Sequence, residues 1–171
     1  MINISQESPQ DLESIYNLNL KAFESDAEAK LVDKLRETIK PFISLVAKEH
    51  GIVLGHILFT PVCVGDSNVS AMGLGPIAVV PERQGEGIGS SLIKKGLQEC
   101  KKLSSSIDLN AVFVLGEPDY YRKFGFELAS EKGCYYKSNK FAPYFFVIEL
   151  IPNCLKGISG EVKYHKFFDD V

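Results

Sequence analysis

Several things are missing from this sequence, and each absence removes a class of function. No apolar run approaches the roughly 18–20 residues that a membrane-spanning helix needs. The four cysteines, Cys63, Cys100, Cys134 and Cys154, lie far apart and form no Cys-x-x-Cys pair, which excludes zinc-ribbon and dithiol-redox patterns. Nor do His50, His56 and His165 show metal-ligand spacing, so no metal is expected. Residues Met1 to Ser8 lack the basic-then-apolar profile of a secretory leader. Free thiols and a cytoplasmic location are therefore expected. Surplus positive charge is missing as well. With 19 Lys+Arg against 22 Asp+Glu and a net charge of −3, no nucleic-acid partner and no membrane partner are expected. Small anions are a separate matter, because helix N-terminal N–H groups bind phosphate without help from Lys or Arg.

What remains is 171 residues, 45% hydrophobic and 24% charged, which reads as a single domain over 1–171 with a substantial core. Ile2 and Ile4 open a short strand. Ser8-Pro9-Gln10-Asp11 reads as N-cap, proline at N1 and an acid in the first turn of a helix. A second helix starts near Asp26, carries Leu31, Leu35 and Ile39, and stops before Pro41. Ile43–Glu49 and Ile52–Thr60, separated by His50-Gly51, predict a hairpin. Residues 69–80 form another strand, followed by a helix from about Gly87 to Leu103 whose buried stripe includes Leu92, Ile93, Gly96, Leu97 and Cys100. Ala111–Leu115 is a continuous apolar run, the mark of a strand covered on both faces. Strand, long helix and buried strand make one βαβ unit with parallel strands and a right-handed crossover. A short helix over Pro118–Phe124 comes next, then a strand at Tyr144–Leu150. A terminal strand is expected to carry Val162, Tyr164 and Phe167-Phe168. The whole is an α/β fold, α+β in some schemes, with a mixed and mostly antiparallel sheet and one parallel crossover.

The most informative segment is Val80-Pro81-Glu82-Arg83-Gln84-Gly85-Glu86-Gly87-Ile88-Gly89-Ser90, where the buried strand turns into the long helix. Glycines at 85, 87 and 89 let the backbone turn sharply and bring successive N–H groups close to a ligand. Those N–H groups belong to a helix N-terminus, where the macrodipole adds about half a positive charge. A diphosphate suits such a place. Two familiar phosphate loops fail on spacing: the dinucleotide pattern Gly-x-Gly-x-x-Gly meets Ser90 or Leu92 where glycine is required, and no Gly-Lys-Ser/Thr closes the loop.

Gln84-x-x-Gly87-x-Gly89, placed after a strand and opening the crossover helix, resembles the Q/R-x-x-G-x-G/A signature of the GNAT superfamily of acyl-CoA N-acyltransferases. Downstream, Tyr121-Arg122-Lys123-Phe124-Gly125-Phe126 resembles the superfamily's Y-x-x-x-G-F element. Stretches 44–59, 73–89 and 115–126 look like the YhbS-like bacterial branch. The resemblance implies strands that splay apart at 74–79 and 111–115 to admit acetyl-CoA as co-substrate. The pantetheine arm would pair with the main chain of Ile77, Ala78 and Val79, and the diphosphate would rest on Gln84, Gly85, Glu86, Gly87, Ile88, Gly89 and Ser90. Arg83 either reaches a phosphate or stays a solvated surface residue. Relative to many family members, the turn Gly116-Glu117-Pro118-Asp119 is short.

Acetyl transfer to a primary amine by direct attack in a ternary complex needs a neutral amine, donors for the oxyanion and a proton for the departing thiolate. A backbone N–H at the splayed strand, that of Val79, suits the oxyanion. Tyr121 aligns with the superfamily's tyrosine as general acid, against the alternative that it only packs on the co-substrate. No single residue declares itself the general base: Glu117, after the end of a strand, is the best-placed carboxylate, against the alternatives of a first-turn acid favoured by the helix dipole and of water doing the job. Glu24, Asp26 and Glu28 lie in the inter-helix region that shapes acceptor sites in this superfamily. The acceptor is a small-molecule or peptide amine, mildly favoured as cationic by the −3 charge, and the protein a monomer or homodimer. A different class of function remains open: a catalytically silent acyl-CoA-binding or sensor domain.

Overall fold

A computed structural model describes all of residues 1–171. In chain order the elements are β1 (Asn3–Gln6), α1 (Leu12–Ala22), α2 (Ala27–Thr38), β2 (Ile43–Glu49), β3 (Ile52–Val64), β4 (Ala71–Val79), α3 (Ile88–Ile107), β5 (Ala111–Leu115), α4 (Pro118–Arg122), β6 (Glu127–Leu128), β7 (Cys134–Tyr135), β8 (Phe145–Glu149) and β9 (Gly160–Lys163). The chain divides into two compact units, one of Met1–Thr60, Gly75–Gln98 and Lys166–Val171, the other of Pro61–Leu74 and Glu99–His165. The long strands β3 and β4 each contribute to both.

In the first unit β1, β2 and β3 pair antiparallel, with Ile43 opposite Phe59 and Glu49 opposite Ile52. His50 and Gly51 make the hairpin turn with φ of 50° and 78°, the left-handed pair that matches the twist of the flanking strands. Ser8 and Asp11 form the expected cap: the Asp11 carboxylate accepts the Ser8 N–H at 2.8 Å and the Ser8 hydroxyl at 2.9 Å. α1 and α2 bury Ile15, Leu18, Leu31, Val32 and Leu35 against Val46 and Leu58 of the sheet. α3 approaches β3 closely at Gly96, where a Cβ would meet the Phe59 ring at 2.3 Å. The expected terminal strand is shorter than predicted, spanning only Gly160–Lys163. Phe167 and Phe168 sit instead in a 3-10 turn, Lys166–Asp170, and both pack on the α1–α2 cluster. An extended strand would have sent the two rings to opposite faces.

A buried polar network ties α2 to the sheet. The Arg36 guanidinium donates to both Glu7 oxygens at 2.7 and 3.0 Å, and the Ser44 hydroxyl donates to Glu7 Oε2 at 2.5 Å. His56 Nε2 lies 2.8 Å from the Ser44 oxygen. Because the single Ser44 proton goes to the carboxylate, His56 must donate from Nε2. That leaves Nδ1 a bare, buried acceptor with no partner. Burial alone would raise the Glu7 pKa, but hydrogen bonds from Arg36 and Ser44 outweigh it and hold the carboxyl below its ordinary value. Burial, reinforced by Arg36 and opposed by Glu7, pushes His56 down to about 4.

In the second unit β4 runs parallel to β5 from Ala71↔Ala111 to Leu74↔Val114, the one βαβ crossover that the apolar runs predicted. β5 pairs antiparallel with β8, and β8 with β6. The end of β3 pairs with β9, which also forms a two-residue parallel bridge with β7 that no sequence pattern foretold. Phe113 and Phe145 stack at 5.5 Å in the core beneath. The fold is thus mixed α/β with a mostly antiparallel sheet. Cys100 is a buried free thiol, as its place on the α3 stripe predicted.

The folded-state pKa of His56 is depressed, so its neutral form stabilises the fold fully above pH 6.5, and that stability is lost as pH falls toward 4. Urea unfolding is expected to show a drop of about 2 kcal/mol between pH 7 and pH 5. A His56→Gln variant should lose most of that drop.

Candidate functional site

In the first unit β4 delivers the chain to the glycine turn. Val80 N–H bonds Leu54 O of β3 at 2.9 Å, anchoring the strand end, and a 3-10 turn over Pro81–Arg83 follows. Gly85 and Gly87 take φ of 81° and 86°, a region that costs any side-chain-bearing residue about 1–2 kcal/mol. Nothing lies within 4 Å of the place where a Cβ would stand on either, so conformation, not crowding, requires glycine there. The first bond into α3 runs from Ser91 N–H to Gly87 O at 3.0 Å. The N–H groups ahead of it, through Ser90, are the donors a helix N-terminus leaves without an intrahelical partner.

The other loop residues are ordered by local bonds. The Gln84 side chain donates to Val79 O at 3.2 Å, stitching the loop back to the strand. Arg83 donates to Glu86 at 2.6 Å and to Glu49 of β2 at 2.9 Å. The guanidinium in turn holds the Glu49 carboxyl below its ordinary pKa. Glu49 was not foreseen as part of this region, since only the fold of the β2–β3 hairpin brings it to the loop. Gly55 of β3 serves the same region. A Cβ there would stand 2.9 Å from Leu92 Cδ1 and 3.0 Å from Ile88 Cγ2, so the bare backbone lets the first turn of α3 settle onto the sheet.

In the second unit the β4–β5 ladder ends at Leu74↔Val114, just before Gly75-Pro76. Proline has no N–H to offer a ladder, and the Gly-Pro pair inside an apolar run was a readable signal for that ending. Beyond β5, Gly116 and Glu117 lead into α4. Tyr121 is 6% exposed, edge-on to the rings of Tyr120 at 5.2 Å and Phe126 at 5.8 Å. Burial, with a smaller contribution from Tyr120, pushes its phenol up to about 12. Its ring lies where a side chain on Gly116 would be: a Cβ there would meet Tyr121 Cε2 at 2.4 Å. The missing side chain at Gly116 therefore makes room for the tyrosine. Tyr120 stacks edge-on against Phe124 at 5.3 Å, in keeping with a packing role. Glu117 is exposed at the N-cap of α4, and its carbonyl accepts Tyr121 N–H at 3.2 Å. In the first unit, Asp26 pairs with Lys30 at 2.6 Å and Glu28 accepts from Ser25 at 3.4 Å.

A family model described as an acetyltransferase (GNAT) domain matches residues 3–129. The uncharacterized N-acetyltransferase YhbS of Escherichia coli (strain K12) is 37% identical over 169 residues, covering 97% of this chain and 98% of that protein. A crystal structure of E. coli YhbS in complex with CoA matches with a TM-score of 0.90 at 35% identity, over 98% of this chain and 92% of that one. A GNAT-family acetyltransferase from Brucella melitensis in complex with acetyl-CoA matches with a TM-score of 0.78 at 35% identity, over 99% of both chains.

Gly116→Ala is expected to destabilise by about 1–3 kcal/mol through overpacking against the Tyr121 ring. The check is a urea titration combined with near-ultraviolet circular dichroism, which should report a displaced tyrosine.

Proposed function

The chain belongs to the GNAT superfamily of N-acetyltransferases, and we propose that it moves an acetyl group from acetyl-CoA to a primary amine by direct attack in a ternary complex. The observation that carries this is the glycine turn: left-handed glycines at 85 and 87 open a helix N-terminus directly after an anchored strand. The diphosphate rests on N–H groups from Gln84 to Ser90, including those of Gly85, Glu86, Gly87, Ile88 and Gly89. The pantetheine arm pairs with the main chain of Ile77, Ala78 and Val79. Arg83 exchanges its Glu86 bond for a phosphate oxygen while Glu49 keeps it in place. One domain spans 1–171 and works in the cytoplasm, as a monomer or homodimer. Four free cysteines fit a reducing compartment.

The neutral amine attacks the thioester carbon, the C–N bond forms and the C–S bond breaks. The Val79 N–H donates to the oxyanion. Tyr121 donates to the departing sulfur, since burial holds its proton in place far above neutral pH. Glu117, exposed at the head of α4, or water, takes the proton that the amine nitrogen gives up. No observation favours a silent binding domain over this reading.

Thiol release from acetyl-CoA against a panel of primary amines is the direct test. Tyr121→Phe should lower kcat by roughly a hundredfold with CoA affinity unchanged; an unaltered kcat would reduce Tyr121 to packing. The pH profile should rise with deprotonation of the acceptor amine and show no downturn from Tyr121 below its pKa of about 12. Tight CoA binding with no turnover of any amine would favour the silent domain. Gly87→Val should weaken CoA binding by at least about tenfold while the chain still folds, as a left-handed valine costs only about 1–3 kcal/mol. Unchanged affinity would remove the diphosphate from this loop.

A further inference from the structure

The segment 136–144, which meets Gly116 beside Tyr121 through one hydrogen bond, carries a charge opposite to that of the chain as a whole. Gly116, whose missing side chain makes room for the Tyr121 ring, donates its N–H to Tyr144 O at 2.8 Å. One hydrogen bond therefore ties the segment 136–144 to the neighbour of the proposed general acid. Between Glu131 and Glu149 the sequence has no acidic residue, in a chain that holds 22 of them. Lysines and tyrosines occupy the segment instead. Lys132 is taken up by Glu149 at 3.1 Å and Glu127 at 3.4 Å. Lys137 and Lys140 are exposed, and their ammonium groups stand over the rings of Tyr136 at 5.3 Å and Phe141 at 4.9 Å.

These rings are not loose. Tyr136 contacts Phe141 at 5.3 Å, Phe145 at 5.5 Å and Tyr164 at 5.6 Å, which roots the segment in the core of the second unit. The result is a basic rim on a rigid aromatic base, with Tyr144, 46% exposed, at the end nearest Gly116. Acids stand at the head of α4, with Glu117 as its N-cap and Asp119 in its first turn. Acid for the amine and base for an anion thus stand as separate groups in one unit.

We propose that the acceptor is an amine that also bears a carboxylate, and that Lys137 and Lys140, with Tyr144, select it. This rests on the acetyl-transfer reading above. It runs against the cationic preference that the net charge suggests, because exposed charges act over about 8–10 Å and the whole-chain sum does not describe one rim.

The test uses the full chain saturated with acetyl-CoA and three tetrapeptide amides with free N-termini, carrying two glutamates, two glutamines or two lysines. A small-molecule arm compares 4-aminobutanoate with its amide. The carboxylate-bearing member of each set should have a kcat/KM higher by about five- to tenfold, and the advantage should shrink at 0.5 M salt. A preference in one arm alone identifies whether peptides or small amino acids supply the carboxylate. The double variant Lys137→Glu/Lys140→Glu should reverse the order without changing CoA affinity. Equilibrium binding of the same peptides in acetylated form to the CoA-loaded protein reads the preference independently of turnover. Acetylation with no charge preference, or with the lysine peptide preferred, overturns the inference and leaves acetyl transfer standing. Selective binding of the acidic peptide without any acetylation upholds the rim and overturns the transfer reading.

Discussion

A strand can satisfy its backbone along two edges, and β4 pairs with β5 only as far as Leu74. From Gly75-Pro76 onward it keeps its β3 neighbour, to which Val80 is still bonded at 2.9 Å, and then runs into the glycine turn. Everything proposed for acyl-CoA depends on that change of partner, because backbone groups already paired in a ladder have nothing to offer a ligand. The same constraint explains the packing around the turn. Loop donors act as a site only when they are held still, and two glycines on opposite sides of one interface do the holding. Gly55 lets the first turn of α3 onto β3, and Gly96 lets the Phe59 ring onto the helix two turns later. A side chain at Gly96 would run into the buried Phe59 ring and lift α3 away from the strand that positions its N-terminus.

The helical pair α1–α2 is fixed by different means. Its apolar stripe supplies adhesion but little direction, since the hydrophobic effect is non-directional. Direction comes from Arg36, which reaches Glu7 just after β1, while Ser44 on β2 and His56 on β3 complete the set. Such networks stabilise little against an apolar substitute, yet removing one member strands the others in the core at about 3–5 kcal/mol. His56 shows the residual cost of the arrangement, with one ring nitrogen satisfied and the other left without a donor.

Local signals carried most of the fold. The His50-Gly51 turn, the Ser8–Asp11 cap, the α3 stripe and the buried run at 111–115 are all short-range patterns whose physics is complete within a few residues. The glycine spacing at 85, 87 and 89 was legible for the same reason. What was not legible depends on which distant segments meet. Glu49 reaches Arg83 only through the hairpin, the role of Gly116 depends on the packing of Tyr121, and the β7–β9 bridge joins residues with no local pattern in common. Phe167-Phe168 misled because aromatic pairs have strand propensity, and tertiary packing on the helical cluster overrode it.

Burial of Tyr121 has two opposite consequences for chemistry. It keeps the phenol protonated, with a pKa near 12, but it also makes the group a weaker acid than a thiol of ordinary pKa near 8.5. Complete proton transfer to a free thiolate would therefore be uphill. Stabilisation has to come earlier, from a hydrogen bond that strengthens as negative charge builds on the sulfur and that a low-dielectric site makes stronger than water would. Such a bond requires position rather than acidity. Tyr164 illustrates the difference: burial pushes its phenol up further still, yet its hydroxyl is already committed to Phe113 O at 3.2 Å. Tyr121 is the phenol whose ring is set by an absent side chain, Gly116, and whose backbone is set by the first turn of α4.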